Sequence, residues 1–129
     1  MGAYTMNLAS VLWTSTILLV ITAAGGLVMA GIAFKGNHQP PTWLAMLHGF
    51  LAAAALTLLL YAAATIGLPG MALTALVLLL VAAAGGVVLN LNYHWKQLPL
   101  PRWLVIVHAV AAVAGFLLLL AATWAARSV

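Results

Sequence analysis

The sequence predicts an all-α integral membrane protein, a four-transmembrane-helix up-down bundle built from two parallel two-helix repeats. Three observations predict it: an almost chargeless composition, four long apolar runs, and a self-match between the two halves. Of 129 residues, 67% are apolar and 3% charged, with four Lys or Arg and no Asp or Glu. A soluble domain carries roughly a quarter charged residues, so this chain cannot cover a water-facing surface. Four dispersed cations form no basic patch for nucleic acid. Without cysteine there is no disulfide framework and no thiolate zinc site. The missing carboxylates also exclude glycosidase pairs, aspartic dyads, two-metal sites and acidic proton relays.

A spanning helix needs about 20 mostly apolar residues, and polar or turn-forming interruptions delimit four of them. The first run, about 8–34, stops at Lys35-Gly36-Asn37-His38-Gln39-Pro40-Pro41. The second, about 42–66, ends in Gly67-Leu68-Pro69-Gly70. The third, about 71–91, gives way to Asn92-Tyr93-His94-Trp95-Lys96-Gln97-Leu98-Pro99-Leu100-Pro101, and the fourth occupies about 102–126. These runs lack the period-two alternation of a membrane barrel, so helices are expected. The first run is too long for a signal-peptide core and its leader holds no Lys or Arg, so it is expected to be a true helix. Met1-Gly2 opens like a myristoylation site, but Met6 stands where Ser or Thr is required.

Lys35, Lys96 and Arg102 fall in the two loops of one side, whereas Arg127 shares the other side with the amino terminus. The positive-inside rule then places loops 35–41 and 92–101 in the cytoplasm, with both termini outside. Trp43, Trp95 and Trp103 on the loop side, and Trp13 and Trp124 on the terminal side, read as interface anchors.

At an offset of 60 residues the halves, about 8–67 and 68–127, align without a gap. Ala23-Ala24-Gly25-Gly26 falls on Ala83-Ala84-Gly85-Gly86, Pro41-x-Trp43-Leu44 on Pro101-x-Trp103-Leu104, and His48 on His108. Each repeat holds two helices, an even number, so the halves share one orientation about an axis along the membrane normal.

Each histidine lies seven residues after its proline, roughly 10 Å inside its helix. Two imidazoles at equal depth on symmetry-related helices suit the axial ligands of one haem iron, which approach from opposite faces of the macrocycle. Gly26 and Gly86 fall at the same depth on the other two helices and would clear volume for that macrocycle. Ala45, Ala52 and Ala55 on the second helix, with Ala111, Ala112 and Gly115 on the fourth, are expected to bring those helices together in the far half. A ligand-sized gap would remain near the loops. Lys35, Lys96 and Arg102 are expected to pair with haem propionates. Two other readings stay open: interhelical packing by histidine and glycine, and a copper or zinc site recruiting His38 and His94. His38 and His94 are expected to be solvated loop residues, with His94 as the candidate for touching a haem edge, a propionate or a quinone.

The four spans, the parallel repeat and the His48–His108 pair resemble the small four-helix transmembrane b-type cytochromes, the group of ascorbate-reducible cytochromes b and bacterial superoxide oxidase. Those proteins hold two haems through four intramembrane histidines; here the terminal side has none. The resemblance therefore implies one bis-histidine haem b near the loop-side face, in a bacterial inner membrane. It implies electron exchange with a quinone, a small oxidant or a redox partner subunit, and for an enzyme a quinone- or superoxide-linked oxidoreductase. The alternative is a non-catalytic structural or accessory subunit of a larger membrane complex. Small-residue stripes on the first and third helices leave room for homo- or hetero-oligomers.

Overall fold

The computed structural model describes residues 7–36 and 38–127. The leader segment weighed above for a signal and for myristoylation, and Asn37 in the first loop, lie outside the described residues. Four α-helices follow one another: α1 Leu8–Lys35, α2 Thr42–Thr65, α3 Gly70–Val88 and α4 Arg102–Ala125. With the π-helical turn that prolongs α3, all four are long and apolar enough to cross a membrane. The chain is an all-α four-helix membrane bundle, with its apolar outer faces turned to lipid.

The helix ends follow from local chemistry. Asn7 caps α1, its side-chain oxygen accepting the Ser10 amide at 2.7 Å. The α2–α3 connection turns at Gly67, whose φ of +87° suits glycine, and whose amide donates to the Ala62 carbonyl at 2.8 Å. Pro41 and Pro101 start α2 and α4 in the same way. Each proline carbonyl accepts the amides three and four residues on, Leu44 and Ala45 in one repeat and Leu104 and Val105 in the other.

The third helix departs from expectation. Instead of ending near Leu91, it widens into a π-helical segment, Leu89–His94, and Trp95 donates its amide to Asn90 five residues back. In α1 the position equivalent to His94 is Phe34, 42% exposed; His94 is 6% exposed. The π turn rotates the imidazole inward, where its Nε2–H donates to the Pro40 carbonyl at 2.7 Å. His94 is thus a buried strut between the two loops, a correction to its reading as a solvated loop residue. His38 is exposed, as expected. Gln39 adds a second tie, from its side-chain amide to the Leu98 carbonyl.

α1 packs along α2 and α3 along α4, and the two hairpins join through α1–α4 and α2–α3. α2 and α4 therefore face each other across a diagonal. The apolar core, with Leu12, Ala55, Leu59, Ala75, Leu119 and Ala122 fully or almost fully buried, fills the terminal half alone. There a hydroxyl pair, Thr16 and Thr123 at 2.9 Å, ties α1 to α4. Toward the loops the inward positions Gly26, Ala45, Ala52, Gly86, Val105 and Ala112 are only half-buried. The bundle is closed at its terminal end and loosely filled at its loop end.

The small residues act differently from expectation. A Cβ on Gly115 would lie 2.9 Å from Leu79 Cγ and 3.2 Å from the Ala75 carbonyl, both on α3. Ala55 is buried with its carbonyl facing Ser15 Oγ on α1. These positions bring each helix against its own hairpin partner, because α2 and α4 are diagonal rather than adjacent.

Candidate functional site

The diagonal is where the repeated histidines meet. His48 and His108 are half-buried, with ring centroids 6.2 Å apart and planes inclined by 60°. The two residues reach each other through their side chains, from helices that do not pack side by side.

Each ring is held in the same way by the neighbouring helix of its own hairpin. His48 Nδ1 lies 2.8 Å from the Thr22 carbonyl on α1, and His108 Nδ1 lies 2.7 Å from the Ala82 carbonyl on α3. A carbonyl oxygen only accepts, so Nδ1 carries the proton on both rings. Nε2 is then the lone-pair nitrogen on each neutral imidazole, available to a metal. Fixing the tautomer and plane of a ligand imidazole by an Nδ1–H bond is the usual outer support of metal-bound histidine.

Gly26 and Gly86 make these seats. A Cβ on Gly26 would lie 3.0 Å from His48 Cε1, and one on Gly86 would lie 3.2 Å from His108 Cε1. Absence of a side chain lets each imidazole lie against the backbone of the adjacent helix. The glycines thus clear room for the rings first. Gly26, Gly86, His48 and His108 form one assembly with internal two-fold repetition. Lys35, Lys96 and Arg102 are exposed at the loop-side ends of α1, α3 and α4 and are not among the groups that hold the rings.

The four-histidine metal site is not formed. Among the described residues no group of three or more His, Cys, Asp or Glu side chains is close enough to hold a metal ion. What the sequence left unseen is the pair of anchoring carbonyls, since a backbone oxygen has no residue signature. The equal separation of 26 residues, Thr22 to His48 and Ala82 to His108, emerges only once the helices are paired.

No family model, curated protein or solved structure matches the chain.

Proposed function

We propose that this chain is a membrane electron-transfer protein that holds one haem b between His48 and His108. The observation that carries this reading is the separation of the rings together with their anchoring. Two imidazole–metal bonds of about 2 Å each, plus roughly 1 Å from Nε2 to each ring centre, require centroids about 6 Å apart. The centroids stand at 6.2 Å, with both Nδ1 atoms committed to carbonyls. The loosely filled loop-side half supports a cofactor there, and the packed, histidine-free terminal half supports one haem rather than two.

Haem held by both His48 and His108 would supply a one-electron couple, and two imidazole ligands would favour electron transfer over oxygen binding. The protein's part is to fix the two rings through Thr22 and Ala82, to exclude side chains at Gly26 and Gly86, and to present positive potential. Lys35, Lys96 and Arg102 supply that potential for the propionates at the loop-side face. The electron partner is a quinone, a small oxidant or a redox subunit. The test is the absorption spectrum of detergent-purified protein from haem-replete cells, oxidised and then dithionite-reduced. A sharp Soret shift with split visible bands is expected, and a colourless preparation would sink the reading. In that event the alternative stands: an accessory membrane subunit in which the same imidazole–carbonyl bonds serve as interhelical struts.

Gly26→Ala and Gly86→Ala are expected to lower the haem-to-protein ratio. The added methyl pushes each ring from its carbonyl, and losing such outer support costs roughly 10–100-fold in metal affinity. Alanine is the better helix former by about 1 kcal/mol, so helical circular dichroism should stay unchanged. An unaltered haem ratio in both variants would contradict the seat assigned to these glycines.

We place the chain in a bacterial inner membrane on its resemblance to the small four-helix b-type cytochromes, and loops 35–41 and 92–101 in the cytoplasm on the three-to-one distribution of its cations. A cysteine introduced at Asn37 is then shielded from an impermeant reagent added outside, and one at Ser128 is labelled. Labelling at Asn37 alone would reverse the topology.

A further inference from the structure

The repeat breaks on one seam at the terminal end of the bundle. Where α1 and α4 meet there, Trp13 and Trp124 stand with ring centroids 6.5 Å apart and planes inclined by 57°. Arg127, just past α4, lays its guanidinium over both rings, with Cζ 4.0 Å from the Trp13 centroid and 4.9 Å from that of Trp124. At an offset of 60 residues the same places on the α2–α3 seam hold Leu73, Ala64 and Gly67. Neither the indoles nor the cation recur. Joining the hairpins therefore does not require this trio, since the other seam closes without it.

Ring faces attract a guanidinium but offer its N–H groups no oxygen acceptor. The hydrogen bonding of Arg127 among the described residues is confined to its backbone amide, which donates to the Trp124 carbonyl at 3.2 Å. The chain holds no Asp or Glu to pair with the side chain. Two indoles also keep that long side chain in one place, so an anion meets a donor fork already ordered. Trp13 and Trp124 mark the depth of the lipid headgroups. From that depth a shallow, almost wholly apolar groove of about 540 Å³ runs along the outside of α4, lined by Leu117, Leu120, Ala121, Trp124 and Ala125. It extends for roughly 12 Å of helix.

We propose that Arg127, held between Trp13 and Trp124, binds the phosphate of an anionic phospholipid whose acyl chain lies in the α4 groove. Phosphate oxygens match the guanidinium donors in charge and geometry. The choice of headgroup follows from the missing acids. An ammonium headgroup finds no carboxylate on this chain and competes with Arg127 for its own phosphate, whereas a glycerol headgroup leaves that phosphate uncompensated. The site lies at the terminal end, away from the histidine pair, and does not depend on the haem reading.

Native mass spectrometry of the detergent-purified chain, offered equal amounts of phosphatidylglycerol and phosphatidylcholine with the same acyl chains, tests this. The wild type is expected to retain phosphatidylglycerol in preference by roughly fivefold or more, the order set by one interfacial cation. Arg127→Gln is expected to abolish the preference. Trp13→Leu, which copies the other seam, keeps the charge but frees the side chain, and is expected to weaken it. Ala121→Phe fills the groove and is expected to lower phosphatidylglycerol retention with Arg127 intact. Lys35→Gln with Arg102→Gln is expected to leave the preference unchanged, and helical circular dichroism checks that each variant is folded. Equal retention of the two lipids by the wild type overturns the inference, as does a preference that survives Arg127→Gln. An equal loss in the loop-side variant overturns it too, because bulk charge would then recruit the lipid. So does unchanged retention in both Trp13→Leu and Ala121→Phe. Displacement of the lipid by millimolar inorganic phosphate would make this a site for free anions and overturns the lipid assignment.

Discussion

Replacing His48 or His108 with alanine is expected to remove the split visible bands that the proposed haem would give the reduced protein, and the two variants are expected to lose them to the same extent. The equality follows from the repeat: each ring has one backbone anchor, one glycine seat and one uncommitted Nε2. Haem retained by a single imidazole would be accessible to a small ligand that two imidazoles exclude. Carbon monoxide should therefore bind the reduced variant if haem is retained at all. Structural damage is a small part of the effect. Thr22 and Ala82 lie within helices, where their carbonyls keep backbone partners, and alanine is a good helix former. The variants should therefore insert and keep wild-type helical circular dichroism. Either variant retaining the wild-type spectrum would remove that histidine from the ligand set. Loss of colour together with loss of helix would point to a strut instead.

The spans and the histidine pair are legible in the sequence because the physics that sets them is local or repeated. Pro41 and Pro101 begin helices at any depth, Gly67 ends one, and an imidazole in an apolar run is conspicuous wherever it occurs. What stayed hidden depends on partners distant in sequence. The ring anchors are carbonyls of Thr22 and Ala82, two residue types that would accept a hydrogen bond equally well as any other. The π turn at Leu89–His94 falls in a polar stretch that reads as a loop; burial of His94 against Pro40 accompanies its helical form. Glycine and alanine stripes show that something approaches closely, and helix adjacency decides what. That is why Gly115 was expected to serve the α2–α4 contact and in fact serves α3–α4.

Gly115 also carries the largest expected effect on stability. A Cβ there meets the branching carbon of Leu79 at 2.9 Å, the Ala75 carbonyl at 3.2 Å and Leu78 Cβ at 3.2 Å. None of these is the free end of a flexible chain, so relief requires α3 and α4 to separate. Overpacking of this kind costs about 1–3 kcal/mol for one added carbon, against about 1 kcal/mol gained in helix propensity. Gly115→Ala is thus expected to lower the thermal unfolding midpoint in detergent, and Gly115→Val to lower it much further. The equivalent residue of the first repeat, Ala55, already carries a Cβ and is fully buried, so the α1–α2 hairpin accepts what α3–α4 does not. Gly49→Ala is the matched control, since a Cβ there meets nothing within 4 Å. Its midpoint should stay level or rise. Gly115 lies seven residues from His108, roughly 10 Å along the helix, so the absorption spectrum of the Ala variant well below its midpoint should match the wild type. A wild-type midpoint for Gly115→Ala would mean that the hairpin spacing relaxes without cost. The terminal half would then be too loose to hold the two imidazoles at a fixed separation across the diagonal.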